Sequence, residues 1–147
     1  MPIGLRIVVS ARTLMQVRLL GLALFAIAFL LPACRDASGT VYPGWRCAEI
    51  TVGAPFSADA LNVWDVLAVL SGMINPFTLF SFLLSFTDRF YGLKVALFLS
   101  SLLFMVCTWA FFIRMRMLPF PGHFFWIAGA LVLGFASACM MHANPRR

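Results

Sequence analysis

Four long apolar segments make up most of this 147-residue chain. They cover approximately residues 14–33, 63–86, 95–113 and 120–141. A helix of about 20 residues, rising 1.5 Å per residue, spans the roughly 30 Å hydrocarbon core of a bilayer. Only 11% of the residues are charged, whereas a soluble domain carries about 25%. Because so few charges cannot cover a water-exposed surface, we predict an integral membrane protein.

The connections between these segments predict how the helices are arranged. Residues 87–94 and 114–119 form short connections, which favour antiparallel neighbours. The sequence therefore predicts an all-α fold, an integral membrane four-helix up-down bundle that forms a single domain over residues 1–147. One longer connection, residues 33–60, is predicted as a polar loop on the outer side.

The positions of Lys and Arg orient the predicted bundle. With the N-terminus inside, the inner side would hold seven basic residues and the outer side four, which is the asymmetry expected of cytoplasmic loops. A re-entrant second segment would instead give five inside against six outside. The outer Arg114 and Arg116 are the weak point of the preferred arrangement. The inner set is Arg6, Arg12, Arg18, Arg89, Lys94, Arg146 and Arg147.

The positions of the aromatic residues and of the positive charges support the same predicted orientation. The four tryptophans all fall at or near the predicted outer interface, as in an aromatic belt. The net charge of +6 comes from residues at the ends of the apolar segments, with no basic stripe interleaved with aromatics. We therefore expect both termini in the cytoplasm, the lipid bilayer as a partner, and no nucleic-acid partner.

Two cysteines lie in the predicted outer loop. Cys34 and Cys47 are 13 positions apart, so in an oxidising compartment they could close a small disulfide loop. The alternative is a pair of unlinked thiols. Leu31-Pro32-Ala33 before Cys34 also imitates a lipoprotein signal, but Pro32, Arg35 and three further spans argue against cleavage and lipidation there.

The remaining polar residues carry no recognisable catalytic or metal-binding pattern. The chain has no C-x-x-C and no cysteine in the second outer connection, which disfavours quinone-linked disulfide chemistry. On one predicted helix, His123 and His142 would lie about 28 Å apart, too far to share a haem or metal. The sequence therefore predicts no catalytic residues, no cofactor and no metal.

Two features inside the spans bear on function. Asn75-Pro76 predicts a helix break, because proline donates no hydrogen bond and would free a carbonyl about one turn earlier. Such a break is either a kink stabilised by neighbours, with Asn75 bonded across the bundle, or part of a substrate pathway. Ala130, Gly134 and Ala138 form a small-residue stripe that suits either internal packing or an oligomer face.

Three short motifs occur in a fixed order along the chain. Leu30-Leu31-Pro32-Ala33 ends the first span, Tyr42-Pro43-Gly44-Trp45 lies in the loop, and Asn75-Pro76-Phe77 lies in the second span. This ordered set resembles a group of small bacterial four-span inner-membrane proteins of unknown function. The resemblance covers roughly residues 20–105, does not include the cysteines, and implies a multi-pass protein of the bacterial inner membrane without implying an activity.

These observations favour a non-enzymatic accessory, structural or interaction component. Its expected partner is another membrane protein or a second copy of itself, contacted through Tyr42, Pro43, Gly44 and Trp45. Pro43-Gly44 is a turn dipeptide and Trp45 suits the headgroup level, so this loop should fold back onto the membrane surface. The alternative is a small transporter or permeation subunit that uses the helix break at Asn75 and Pro76.

Overall fold

A computed structural model describes residues 7–57, 62–87 and 89–142. It has five helices within that part of the chain: α1 Ala11–Leu30, α2 Gly44–Ser57, α3 Val63–Leu84, α4 Tyr91–Met115 and α5 Pro121–Ala138. Five short strands accompany them: β1 Ile7–Val9, β2 Pro32–Arg35, β3 Val41–Pro43, β4 Leu118–Pro119 and β5 Met140–His142.

Four of the helices, α1, α3, α4 and α5, are long and apolar enough to cross a membrane. Their 18 to 25 residues correspond to lengths of about 27 to 37 Å. The predicted number of apolar helices is confirmed, although the last helix ends at Ala138 and not near residue 141. The chain is mostly helical as predicted, but a pure four-helix bundle is not confirmed, because short strands and a fifth helix are also present.

The pairing of the strands shows which helix termini lie together at each end of the bundle. β2 is the central strand of a three-stranded sheet and pairs antiparallel with β3 and with β4. The end of α1 and the start of α5 therefore lie at the same end of the bundle. At the other end, β1 pairs in parallel with β5, with Ile7 opposite Met140. The helices consequently alternate in direction, and the first and last described strands lie side by side.

Local signals in the sequence fix where two of the helices begin. At the start of α3, the Asn62 side chain accepts hydrogen bonds from the backbone N–H of Trp64 and Asp65. The Asp65 carboxylate in turn accepts from the Asn62 N–H at 3.0 Å. This capping box satisfies N–H groups that the first helical turn leaves unpaired. In α1 the Ser10 side chain accepts from the Thr13 N–H in the same way.

Helix α5 is the centre of the bundle and packs against α1, α3 and α4. Its small residues make this possible: a Cβ on Gly129 would lie 2.6 Å from the backbone nitrogen of Phe25 in α1. A Cβ on Gly134 would lie 2.5 Å from the ring of Phe98 in α4. Ala130 and Ala138 are 2% and 4% exposed, so the small-residue stripe predicted in this helix packs inside the chain.

Helix α3 runs through Pro76 without interruption. The segment around Asn75 and Pro76 is therefore one helix with an internal proline, which is compatible with the predicted kink and contains no unwound stretch. Neighbouring contacts hold it, since Ile74 is fully buried and the Asn75 Oδ1 accepts a hydrogen bond from Trp126 Nε1 of α5 at 2.7 Å. A proline can remain inside a membrane helix when packing compensates for the lost backbone bond.

Candidate functional site

Residues predicted as a polar loop form an ordered cap on one end of the bundle. We use the name cap for β2, β3, α2 and β4, that is, residues 32–35, 41–57 and 118–119. β4 comes from the connection between α4 and α5, so the cap ties two connections together. The Phe120 N–H also donates to the Ala33 carbonyl at 2.9 Å, which anchors the start of α5 to the same sheet.

One carboxylate organises the turn between β2 and β3. Asp36 Oδ1 accepts hydrogen bonds from the Ser38 hydroxyl at 2.6 Å and from the backbone N–H groups of Ser38 and Thr40 at 2.9 Å. Asp36 Oδ2 accepts from the Tyr42 hydroxyl at 3.0 Å. Hydrogen bonding, first from Ser38 and also from Tyr42, lowers the pKa of Asp36. The turn is therefore most stable with this residue ionised.

Two glycines let the cap approach the helices closely. A Cβ on Gly44 would lie 2.2 Å from the Ala28 carbonyl oxygen, and the Gly44 N–H donates to the Leu31 carbonyl at 3.0 Å. A Cβ on Gly122 would lie 2.6 Å from the Pro32 carbonyl oxygen. The glycine of the Pro-Gly-Trp motif is therefore required where α2 meets the last turn of α1, in addition to any role in the turn.

The two cap cysteines face each other. Cys34 in β2 is 2% exposed, and its Sγ lies 3.4 Å from the Sγ of Cys47 in the first turn of α2. This is a hydrogen-bonding distance, longer than the S–S bond of about 2.05 Å, and both residues are free thiols. The shared hydrogen bond lowers the pKa of Cys34 and, together with burial, raises the pKa of Cys47.

A cavity of about 80 Å³ lies between the cap and the helices. Its walls are mostly apolar and include Phe29, Phe111 and Phe112. Three kinds of polar group also reach it: the paired thiols, the Ser71 and Thr108 hydroxyls bonded to each other at 2.9 Å, and the Asn75–Trp126 pair. The cavity therefore sits where the cap, α3, α4 and α5 meet.

His123, in the first turn of α5, also lines this cavity and is 3% exposed. Its ring is surrounded by those of Phe112, Trp109, Trp126 and Phe124, with centroid distances of 4.7, 5.4, 5.6 and 6.0 Å. Its Nε2 is buried and accepts or donates no hydrogen bond within the described part of the chain. A buried polar atom of this kind normally has a partner.

The structure brings together some of the residues selected from sequence and separates others. Cys34, Cys47, Tyr42, Gly44 and Asn75 line the cavity. Pro43 ends β3, and the Trp45 side chain is 54% exposed on the outside of the cap. The lining does not include Pro76 or the small-residue stripe Ala130, Gly134 and Ala138.

Sequence reasoning missed the polar residues of the cavity that come from α4 and α5. The sequence alone presents His123 as a possible metal partner of His142, and Trp126 as one residue of an interfacial belt. The available signal was a histidine followed three positions later by a tryptophan on the same helix face. Within the described residues, no three His, Cys, Asp or Glu side chains are placed to hold a metal ion.

No protein-family model, curated protein or solved structure matches this chain.

Proposed function

We propose that this chain is a non-enzymatic accessory or interaction component of the bacterial inner membrane. Its contact surface is the outside of the cap, and its partner is another membrane protein or a second copy of itself. The observation that carries the proposal is the two-sided nature of α2. Gly44, Cys47, Ala48 and Thr51 face the bundle and line the cavity, whereas the opposite face is exposed.

The exposed face of α2 is apolar in part. Trp45 and Val52 are 54% and 63% exposed and lie seven positions apart, on the same side of the helix. Arg46 and Glu49 form an ion pair of 2.5 Å beside them, with both side chains about half exposed. Exposed apolar side chains with a polar border on one helix face fit a contact site, whether the contact is a protein or the headgroup region.

The orientation that we propose places the cap outside and both termini in the cytoplasm. Arg18 and Lys94, at the end opposite the cap, donate hydrogen bonds to the backbone carbonyls of Ser85 and Thr87. These bonds keep positive charge at that end of the bundle, as expected for the cytoplasmic side. At the cap end, Arg114 stacks over the Trp64 ring at 4.9 Å, which suits a cation in an aromatic belt.

In an oxidising compartment, Cys34 and Cys47 form a disulfide. The two thiols lose two protons and pass two electrons to a disulfide-bearing oxidant by thiol–disulfide exchange. A loop of this size contributes about 3 kcal/mol in the chain-entropy model. The bond would hold α2 against β2 and keep the contact surface rigid. Mass spectrometry without reductant should find Cys34 and Cys47 linked and Cys107 and Cys139 free; four free thiols would contradict this step.

The transporter alternative has less support. It relied on an unwound segment at Asn75-Pro76, but α3 is continuous there and the Asn75 oxygen is already bonded to Trp126.

The test is crosslinking in native membranes followed by purification in mild detergent. The double variant Trp45→Ser, Val52→Ser should lose a discrete crosslinked species that the unchanged protein forms. Leu103→Ser is the matched control, because Leu103 is 61% exposed but lies in the middle of α4, away from the cap. A 16.3 kDa monomer without any adduct in all three proteins would overturn the proposal.

A further inference from the structure

We infer that the cavity beneath the cap binds a small uncharged apolar molecule, about the size of one six-membered ring, that reaches it from the bilayer. This site is separate from the exposed face of α2, and neither proposal depends on the other. The observations that carry the inference are the size of the cavity, its apolar and aromatic walls, and the pairing of the polar groups at its border.

The size of the cavity suits a single ring. One water-sized group takes about 10–15 Å³ on this measure, so the cavity of about 80 Å³ holds roughly five to eight heavy atoms. A benzene ring falls within that range, whereas two fused rings exceed it. Ala48 of α2 contributes no more than a methyl group to the lining, so a larger side chain there would take up the space.

The polar groups at the border of the cavity are bonded to each other. The three pairs are Ser71 with Thr108, Asn75 with Trp126, and Cys34 with Cys47. His123 Nε2 has almost no accessible surface, so it presents no open hydrogen bond to the cavity either. A buried water normally makes two to four hydrogen bonds, and a hydroxyl or a charge without a partner is costly to bury. The cavity therefore disfavours water and polar ligands.

The walls of the cavity favour a ring. Phe29, Phe111 and Trp126 bring aromatic side chains from three helices to the lining. The walls of an empty cavity lack contact partners on one side, so a group that fits restores dispersion contacts. This gain is available to a molecule that comes from the bilayer, although lipid tails are as apolar as the walls. Aromatic rings also pair with one another beyond the effect of area alone, which favours a ring over a flexible chain.

The first experiment measures binding of fluorobenzene, 4-fluorophenol and 1-fluorohexane to the full chain in nanodiscs by ¹⁹F NMR. Each affinity is referred to the concentration of that probe in the bilayer. We expect fluorobenzene to bind at least about five-fold more tightly than the phenol, whose hydroxyl would be left unpaired. It should bind about two- to ten-fold more tightly than the flexible chain. Equal or tighter binding of either other probe, or no binding beyond that of empty nanodiscs, would overturn the inference without any variant.

A pair of matched variants assigns the binding to this cavity. Ala48→Leu adds bulk to the cavity wall and should abolish fluorobenzene binding. Ala96→Leu makes the same substitution at an exposed position of α4 that is not part of the lining, so it should bind as the unchanged protein does. Binding that survives in both variants, or is lost in both, would refute the assignment.

The reactivity of Cys34 gives a second measurement on the protein. Cys34 lines the cavity and is 2% exposed, so its reaction with a maleimide under reducing conditions requires the cap to lift. A ligand that binds only beneath the closed cap must slow this reaction. With Cys107 and Cys139 replaced by alanine, fluorobenzene at about ten times its dissociation constant should lower the rate about ten-fold. An unchanged rate would show that the probe binds elsewhere and would overturn the inference.

Discussion

The close approach of α2 to α1 makes a sharp prediction for Gly44. In Gly44→Ala, the new Cβ would lie 2.2 Å from the Ala28 carbonyl oxygen and 2.9 Å from the Phe29 Cα. Both are backbone atoms, so no side chain can rotate away. Restoring an ordinary contact of 3.4 Å requires a displacement of about 1.2 Å, which would also stretch the Gly44–Leu31 hydrogen bond beyond its 3.0 Å.

The magnitude follows from these two losses. Forcing an extra methyl group into a packed junction costs about 1–3 kcal/mol, and a weakened hydrogen bond adds about 1 kcal/mol. We expect Gly44→Ala to destabilise the packed position of the cap against α1, relative to a state in which the cap is lifted, by about 3 kcal/mol. Gly53→Ala, in the same helix, has nothing within 4 Å of the new Cβ. It should stabilise α2 by up to about 1 kcal/mol, the usual helix preference for alanine.

The assay is the rate at which Cys34 reacts with a maleimide under reducing conditions. Cys34 is 2% exposed, so alkylation requires the cap to lift. In a Cys107→Ala, Cys139→Ala background, Gly44→Ala should raise the rate of Cys34 alkylation about 100-fold. This value follows from the expected destabilisation of about 3 kcal/mol, since each 1.4 kcal/mol changes an equilibrium tenfold. Gly53→Ala should leave the rate unchanged or lower it. Equal rates for the two glycine variants would refute the packing argument.

The Asp36 carboxylate, the Asn75–Trp126 hydrogen bond and the proline inside α3 each lead to a further prediction. The pKa of Asp36 is lower in the folded protein than its ordinary value of 3.8, so at pH values above 3.8 its carboxylate stabilises the turn between β2 and β3. This contribution is lost as the pH falls through the lower pKa of the folded state. The Thr40 amide shift should therefore titrate below pH 3.8, and a midpoint above it would be contrary. Trp126→Phe should cost about 1–3 kcal/mol in thermal unfolding because Asn75 loses its partner, and adding Asn75→Leu should recover part of the loss; strict additivity would speak against the bond. Pro76→Ala should leave thermal stability unchanged or raised, whereas a clear loss would show that the proline itself is required.

Hydropathy was sufficient to predict the four membrane helices because each is a continuous apolar segment that needs no information from the rest of the chain. The cap could not be found in this way. β2, β3 and β4 contain only two to four residues each, too few to show alternation, and β2 pairs with β4 across more than 80 positions. Helix α2 contains Gly53 and Pro55, which disfavour a helix in isolation. Its formation depends on packing against α3 and α1.

Only part of the candidate site could be predicted, because most of its contacts join residues that are far apart in the sequence. The spacing of Cys34 and Cys47 identified them as a possible pair, and the structure brings their sulfur atoms within 3.4 Å. A partner for Asn75 across the bundle was also expected, although nothing in one sequence indicated that it would be Trp126. His123 was missed because its environment is made by residues from α4 and the cap, which contact it only once the helices have assembled.

The central position of α5 has a consequence for the order of assembly during synthesis. α5 leaves the ribosome after the other four helices, yet it is the helix against which α1, α3 and α4 pack. Until it inserts, the Gly21 and Phe25 face of α1 has no α5 to cover it, and β2 lacks the strand that follows α4. A ribosome stalled before α5 would therefore hold α3 already able to pack on α4, whereas α1 would lack the helix that covers most of its packed face.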